Sequence, residues 1–150
     1  MNPARDFQSL YAGRLWSVMS WPELETFWQR VDPAAPWYLY AVGEPPPASP
    51  ASAGDTARFL RSVDELLRRE HHESYCGIVY ADDLLRPSFV KIYDPNHLGS
   101  SCGSSRLPPL PGWIMSQVPP MALEAAHPAP AGRRAWWRSL IEGFAGARAG

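Results

Sequence analysis

Leu24, Phe27, Trp28 and Val31 fall at i, i+3, i+4 and i+7, which draws one apolar stripe along a helix. Ser20-Trp21-Pro22-Glu23 in front of it has the S-x-x-E form of a capping box, and a proline is tolerated in a first turn. Asp32-Pro33 stops it. Upstream, Phe7, Leu10, Tyr11, Leu15 and Val18 lie near helical spacing and predict another helix over residues 2–18, with Gly13 its weak point. The two would form a helical hairpin laid on something flat. Further on, Asp55 reads as the cap of a third helix, with Phe59, Leu60, Val63, Leu66 and Leu67 on one face. It ends in the polar Glu70-His71-His72-Glu73-Ser74. A last helix is predicted over residues 133–147, with Trp136, Trp137, Leu140, Ile141 and Phe144 on one side.

Between these stripes the period vanishes. Residues 37–42, WYLYAV, are aromatic and aliphatic without polar alternation, the pattern of a strand buried on both faces. Residues 76–81, 88–93 and 113–118 predict three more strands, and the acidic, proline-containing connection 82–87 joins the first two of these as a hairpin. The order is α-α-β-α-β-β-β-α. It predicts a single α+β domain with a four-stranded, mostly antiparallel sheet and helices mainly on one face. The connection through the third helix leaves room for one parallel pair. Residues 1–120 would form the domain, 121–132 an Ala/Pro-rich linker and 133–150 a C-terminal amphipathic helix. That helix either docks on its own sheet, fills a groove in a partner, or lies on a membrane surface.

Composition narrows the class. A chain of 150 residues is one domain and buries an adequate core without metal or disulfide staples. A net charge of −1 gives no electrostatic case for nucleic acid. No signal peptide opens the chain, and no stretch reaches the roughly 20 apolar residues of a membrane span. Two cysteines do not make a disulfide scaffold, so the expected location is the cytoplasm, with reduced thiols. All basic residues but Lys91 are arginines, a bias that reads as a GC-rich, bacterial coding sequence. Seven tryptophans suit a core and an interface equally.

The chemistry concentrates after the third predicted strand, in Asp94-Pro95-Asn96-His97-Leu98-Gly99-Ser100-Ser101-Cys102-Gly103-Ser104-Ser105-Arg106. Asp-Pro-Asn turns the chain. Gly and Ser then leave backbone N–H groups open, as an anion nest requires. The spacing matches no G-x-x-x-x-G-K-[ST] loop, and Cys102 and Arg106 are too close for a C-x5-R phosphatase loop. Cys102 with His97 as base would make a thiol nucleophile. His71, His72, Cys76, His97 and Cys102 have the ligand chemistry of a metal site, without the C-x2-C or H-x3-H spacing. Lys91, between Phe89 and Tyr93, is either an aromatic-flanked contact or a guard on an edge strand, and the guard is the favoured reading. The expectation is an accessory or interaction protein that binds another protein, without a cofactor or a catalytic activity of its own. Its contacts would be Asn96, His97, Ser100, Ser101, Cys102, Ser104, Ser105 and Arg106, together with Trp136 and Trp137. The alternative is a thiol-dependent enzyme, or a redox or metal-handling protein, working through Cys102 and His97.

Overall fold

The computed structural model describes residues 6–96, 110–123 and 131–142. Its elements in chain order are α1 (Phe7–Ala12), β1 (Trp16–Val18), α2 (Trp21–Arg30), β2 (Tyr38–Ala41), α3 (Ala53–Glu70), β3 (Val79–Ala81), β4 (Phe89–Ile92), β5 (Trp113–Ser116) and α4 (Ala131–Glu142). The class is α+β, with one strand more than the sequence predicts. The strands form one sheet in the order β1-β3-β4-β5-β2, and all four pairs are antiparallel. The connection through α3 therefore ends on the opposite side of the sheet and makes no parallel pair.

The extra strand comes out of the helix predicted over residues 2–18. Within the described part, that helix is only Phe7–Ala12, capped by Asp6, whose carboxylate accepts from the Ser9 N–H at 2.8 Å. It stops at Gly13, where a side-chain Cβ would stand 2.8 Å from the Ser9 carbonyl oxygen. Beyond it, Trp16 and Val18 pair with Ala81 and Val79. Three residues are too few to separate a period of two from one of 3.6. The ladder between β1 and β3 is offset where Gly77 takes φ 70°, letting its N–H reach the Val18 carbonyl at 2.9 Å.

Register divides the sheet into two covered faces. Val18, Val79, Ile92, Trp113 and Ala41 form one row across all five strands. They belong to the main core, closed by Leu24 and Phe27 of α2, by Phe59, Val63, Leu66 and Leu67 of α3, and by Trp137 and Leu140 of α4. The opposite face is smaller: Tyr40, Phe89 and Ile114 pack under Phe7 of α1, whose ring lies 5.6 Å from that of Phe89. The Tyr40 hydroxyl also accepts from the Leu123 N–H at 2.8 Å, which straps the following chain over the same face.

Local chemistry accounts for the helix starts. Ser20 accepts from the Glu23 N–H at 3.1 Å, as the capping box predicts. The cap of α3 is Ser52, not Asp55; Ser52 accepts from the Asp55 N–H at 3.1 Å, and Asp55 stands inside the first turn. The described part of the last helix packs on its own domain: Trp137 meets Phe59 edge-on at 6.1 Å, and Trp136 meets Trp113 at 5.3 Å. No helix among the described residues is long and apolar enough to cross a membrane.

Since Trp137 is buried between α3 and the sheet, Trp137→Ala is expected to destabilise the chain by about 3–5 kcal/mol. Urea unfolding measures this; a loss below about 1 kcal/mol would mean that α4 contributes little to the core.

Candidate functional site

At the end of β4 the chain enters the Gly/Ser segment through a charged cluster. Arg133, near the start of α4, spans two carboxylates. Its Nε donates to Asp94 Oδ2 at 2.6 Å and its Nη2 to Asp94 Oδ1 at 3.0 Å. On the other side Nη2 donates to Glu70 Oε1 at 2.8 Å and Nη1 to Glu70 Oε2 at 3.2 Å. The guanidinium also lies 5.8 Å from the Trp113 ring. Asn96 joins the cluster: its side-chain amide donates to Glu70, and its backbone N–H donates to Asp94 Oδ1 at 2.9 Å. The hydrogen bonds from Arg133 pull the Glu70 carboxyl down to about 2. Burial pulls the Arg133 guanidinium down, and its bonds to Glu70 and Asp94 more than reverse that. Every fork of this cluster is occupied by another member. It works as a clamp that ties α3, β4 and α4 together.

The expected site divides at this point. Asn96 is the one residue of the loop set inside the described residues; His97, Ser100, Ser101, Cys102, Ser104, Ser105 and Arg106 lie outside them. Trp136 and Trp137 are placed against the domain's own aromatic core. Of the five candidate metal ligands, His97 and Cys102 lie outside the described residues and the other three are placed. His71 is the buried C-cap of α3, and its Nε2 donates to the Cys76 carbonyl at 2.9 Å. Its ring sits between Trp21 at 5.9 Å and Tyr75 at 6.3 Å. His72 is exposed. Cys76 is in the main core, where burial pushes its thiol up, away from the thiolate that metal binding needs. Among the described residues, no group of three or more His, Cys, Asp or Glu side chains is arranged to hold a metal ion.

Lys91 does not guard an edge. β4 is the middle strand of the sheet, and the Lys91 ammonium lies 3.7 Å from the centre of the Tyr11 ring. Tyr80 is its cross-strand neighbour and Tyr93 stacks edge-on with Tyr80 at 5.6 Å. Burial pulls the ammonium's pKa down and pushes the Tyr11 and Tyr93 phenols up. Among the described residues, no carboxylate stands within ion-pair distance of Lys91. The tyrosine ring takes the place of a counter-ion.

The open concave surface is at the opposite end of β4. There α2 and the tip of the β3–β4 hairpin enclose two adjoining clefts of about 320 and 330 Å³, which share Arg30. Val18, Phe27 and Leu84 line the first, and Leu85, Arg86 and Pro87 the second. The hairpin tip is fixed by its own acids. Asp82 accepts from the Ser88 and Phe89 N–H groups at 2.9 and 3.0 Å, and Asp83 from the Leu85 and Arg86 N–H groups at 2.8 and 3.1 Å. Those amide bonds hold the Asp83 carboxyl below its ordinary range. Arg30 donates across the cleft to the Leu84 carbonyl at 3.3 Å. Leu85 is left 67% exposed at the tip. Two adjacent leucines in a turn otherwise made of charged residues and a proline were the sequence signal for this surface.

Comparison with protein-family models, curated proteins and solved structures gives no match.

The clamp and the lysine each generate an expectation. The folded pKa of Glu70 is depressed from its ordinary 4.5, so its contribution is fully present above pH 4.5 and is lost as pH falls through about 2. Between those values the melting temperature of the native chain is expected to fall more steeply than that of Glu70→Gln; parallel curves would show that Arg133 does not hold the carboxylate. Lys91→Met keeps the stem under Tyr11 and removes a desolvated charge, so stability is expected to change by less than about 1 kcal/mol. A loss above about 2 kcal/mol in chemical denaturation would mean that the ammonium itself holds α1 down.

Proposed function

We propose that this chain is a protein-interaction domain, an accessory that binds a partner through the trough between α2 and the β3–β4 hairpin. The observation that carries the reading is the exposure of large apolar side chains at the hairpin tip and around β1, beside the trough. Leu85 is 67% exposed at the hairpin tip, while Trp16 at 51% and Met19 at 53% flank the trough-lining Val18. Large apolar groups held outward on ordered backbone are the chemistry of interface centres, where aromatic and aliphatic anchors displace water. The trough is open and shallow, a shape that takes a protein segment more readily than it encloses a small substrate. The arginine-biased composition and two cysteines, too few for a disulfide scaffold, support a bacterial cytoplasm as the setting.

Site-specific photocrosslinking tests the proposal. A benzophenone side chain is placed at Leu85, and in a control at the exposed Arg61 of α3, with the chain produced at native level. A discrete adduct from position 85 and none from position 61 is the expected result. No adduct, or the same adducts from both positions, would remove the trough as the contact surface.

A further inference from the structure

We propose that two copies of this chain pair edge to edge through β1, as antiparallel strands related by a two-fold axis at Ser17. The proposal goes beyond the trough reading: its occupant is a second copy, and its test reads Ser17 instead of Leu85.

The sheet finishes its two edges differently. At the β2 edge the chain satisfies its own backbone. The Trp37 carbonyl accepts from the Ala51 N–H at 2.8 Å, the Ala41 carbonyl accepts from the Glu44 N–H at 3.0 Å, and Leu39 between them is buried. β1 lies at the other edge, and the ladders fix which way its backbone points. The Tyr93 N–H donates to the Ile78 carbonyl and the Asp82 N–H to the Phe89 carbonyl, so Ile78 and Asp82 bond toward β4. Tyr80, two residues from each, does the same. Its cross-strand partner Ser17 is therefore in a non-hydrogen-bonded pair and turns its N–H and C=O away from the sheet. Among the described residues, no backbone group bonds to that N–H or C=O. Ser17 keeps part of its surface exposed although its hydroxyl oxygen is buried, so the accessible part is main chain and Cβ. The hydroxyl has no hydrogen-bond partner either.

Nothing along this edge discourages pairing. Edge strands are commonly blunted by charge, proline or a covering segment. Residues 15–19 hold neither a charge nor a proline. Trp16 and Met19 stand half-exposed there instead, and the bond from the Cys76 N–H to the Met19 carbonyl brings the exposed Tyr75 close by.

These groups select a second copy. A two-fold axis at Ser17 meets its outward N–H and C=O with the same two groups, in two reciprocal hydrogen bonds. The two Ser17 Cα atoms then stand about 5.5 Å apart, where a rotation about χ1 lets the orphan hydroxyls bond to each other. Trp16 falls opposite Val18 of the second copy and Arg14 opposite Ser20, so the paired strands bring no like charges together. A net charge of −1 adds little long-range repulsion. β1 has only three residues, which makes the dimer weak and concentration-dependent.

Sedimentation velocity from about 10 µM to about 1 mM, a span that covers weak association, tests this together with residue-resolved amide exchange at both ends. The native chain is expected to pass from monomer to dimer, and exchange of the Ser17 N–H to slow by about tenfold as it does. Ser17→Pro removes the outward N–H where an edge strand tolerates proline, and Trp16→Lys puts a guard charge on an exposed side chain; both are expected to stay monomeric. Melting curves establish that the variants fold, and Trp16→Lys carries the comparison alone if the proline variant does not. A chain that is monomeric throughout overturns the proposal. So does a dimer that survives in the folded variants, since it pairs elsewhere, or a Ser17 amide equally protected at both concentrations, since the edge is then covered within one copy. The crosslink at Leu85 is read separately, so either proposal can fail without the other.

Discussion

The middle strands of this sheet have no solvent face, and most of the structure follows from having to cover them twice. Phe89, Val90 and Ile92 of β4 and all four residues of β5 are buried. Neighbouring residues on a strand point to opposite faces, so a chain of this pattern needs two apolar layers. Three helices supply the large one. On the other face a helix of six residues has to suffice, and the fold extends it with the Leu123 N–H strapped to Tyr40 and with the Tyr11 ring over Lys91. A lysine there is compatible with burial because its charge meets a π-face and its stem covers apolar surface. The small cover is thus completed by a cation.

The large cover needs a different device, because α4 comes from far along the chain. Asp94, two residues past β4, is buried, and a buried carboxylate is costly unless it is paired and hydrogen-bonded. Arg133 supplies both, and it reaches Glu70 at the C-terminal end of α3 with the same guanidinium. That places a cation at the negative end of the α3 dipole and positions the start of α4 over Trp113. Once its first turn is fixed, Trp137 and Leu140 fall one and two turns further along, into the gap beside Phe59.

What could be read from the sequence depended on range. The stripes of α2 and α3 are long enough for the 3.6 period to stand out, and the strands at residues 38–41 and 113–116 are punctuated by Pro and Gly. β1 was hidden because Val18 also extends the helical spacing of Phe7, Leu10, Tyr11 and Leu15, and only the pairing of Trp16 and Val18 with Ala81 and Val79 decides otherwise. Lys91 was misread as an edge guard because strand order is set by contacts between distant segments, which no local pattern records. The clamp was invisible for the same reason: Arg133 and Glu70 are 63 positions apart. At the trough the local signal was present, since Leu84 and Leu85 interrupt an otherwise polar turn. It was outweighed by the richer chemistry of the His97–Arg106 segment, which lies outside the described residues apart from its threshold at Asn96.

The two ends of β4 handle their charges in opposite ways. At Asp94 the carboxylate, the guanidinium and the amide satisfy one another, and the cluster faces inward with Arg133 only 12% exposed. At the hairpin tip the acids are satisfied mainly by backbone instead: Asp82 and Asp83 together accept three amide N–H groups of their connection and that of Phe89 at the start of β4, and the Ser88 hydroxyl donates to Asp82. The Arg86 charge adds to this at Asp83, as the smallest of the influences on its carboxyl. Arg30 and Asp32 line the cleft beside Arg86, and Glu23 lines the adjoining one, so charges of both signs face the trough. The same amide bonds that make the turn rigid direct Leu85 outward. One set of local interactions thus leaves the tip ordered with Leu85 exposed, and an ordered surface gives up less conformational entropy on binding than a mobile one.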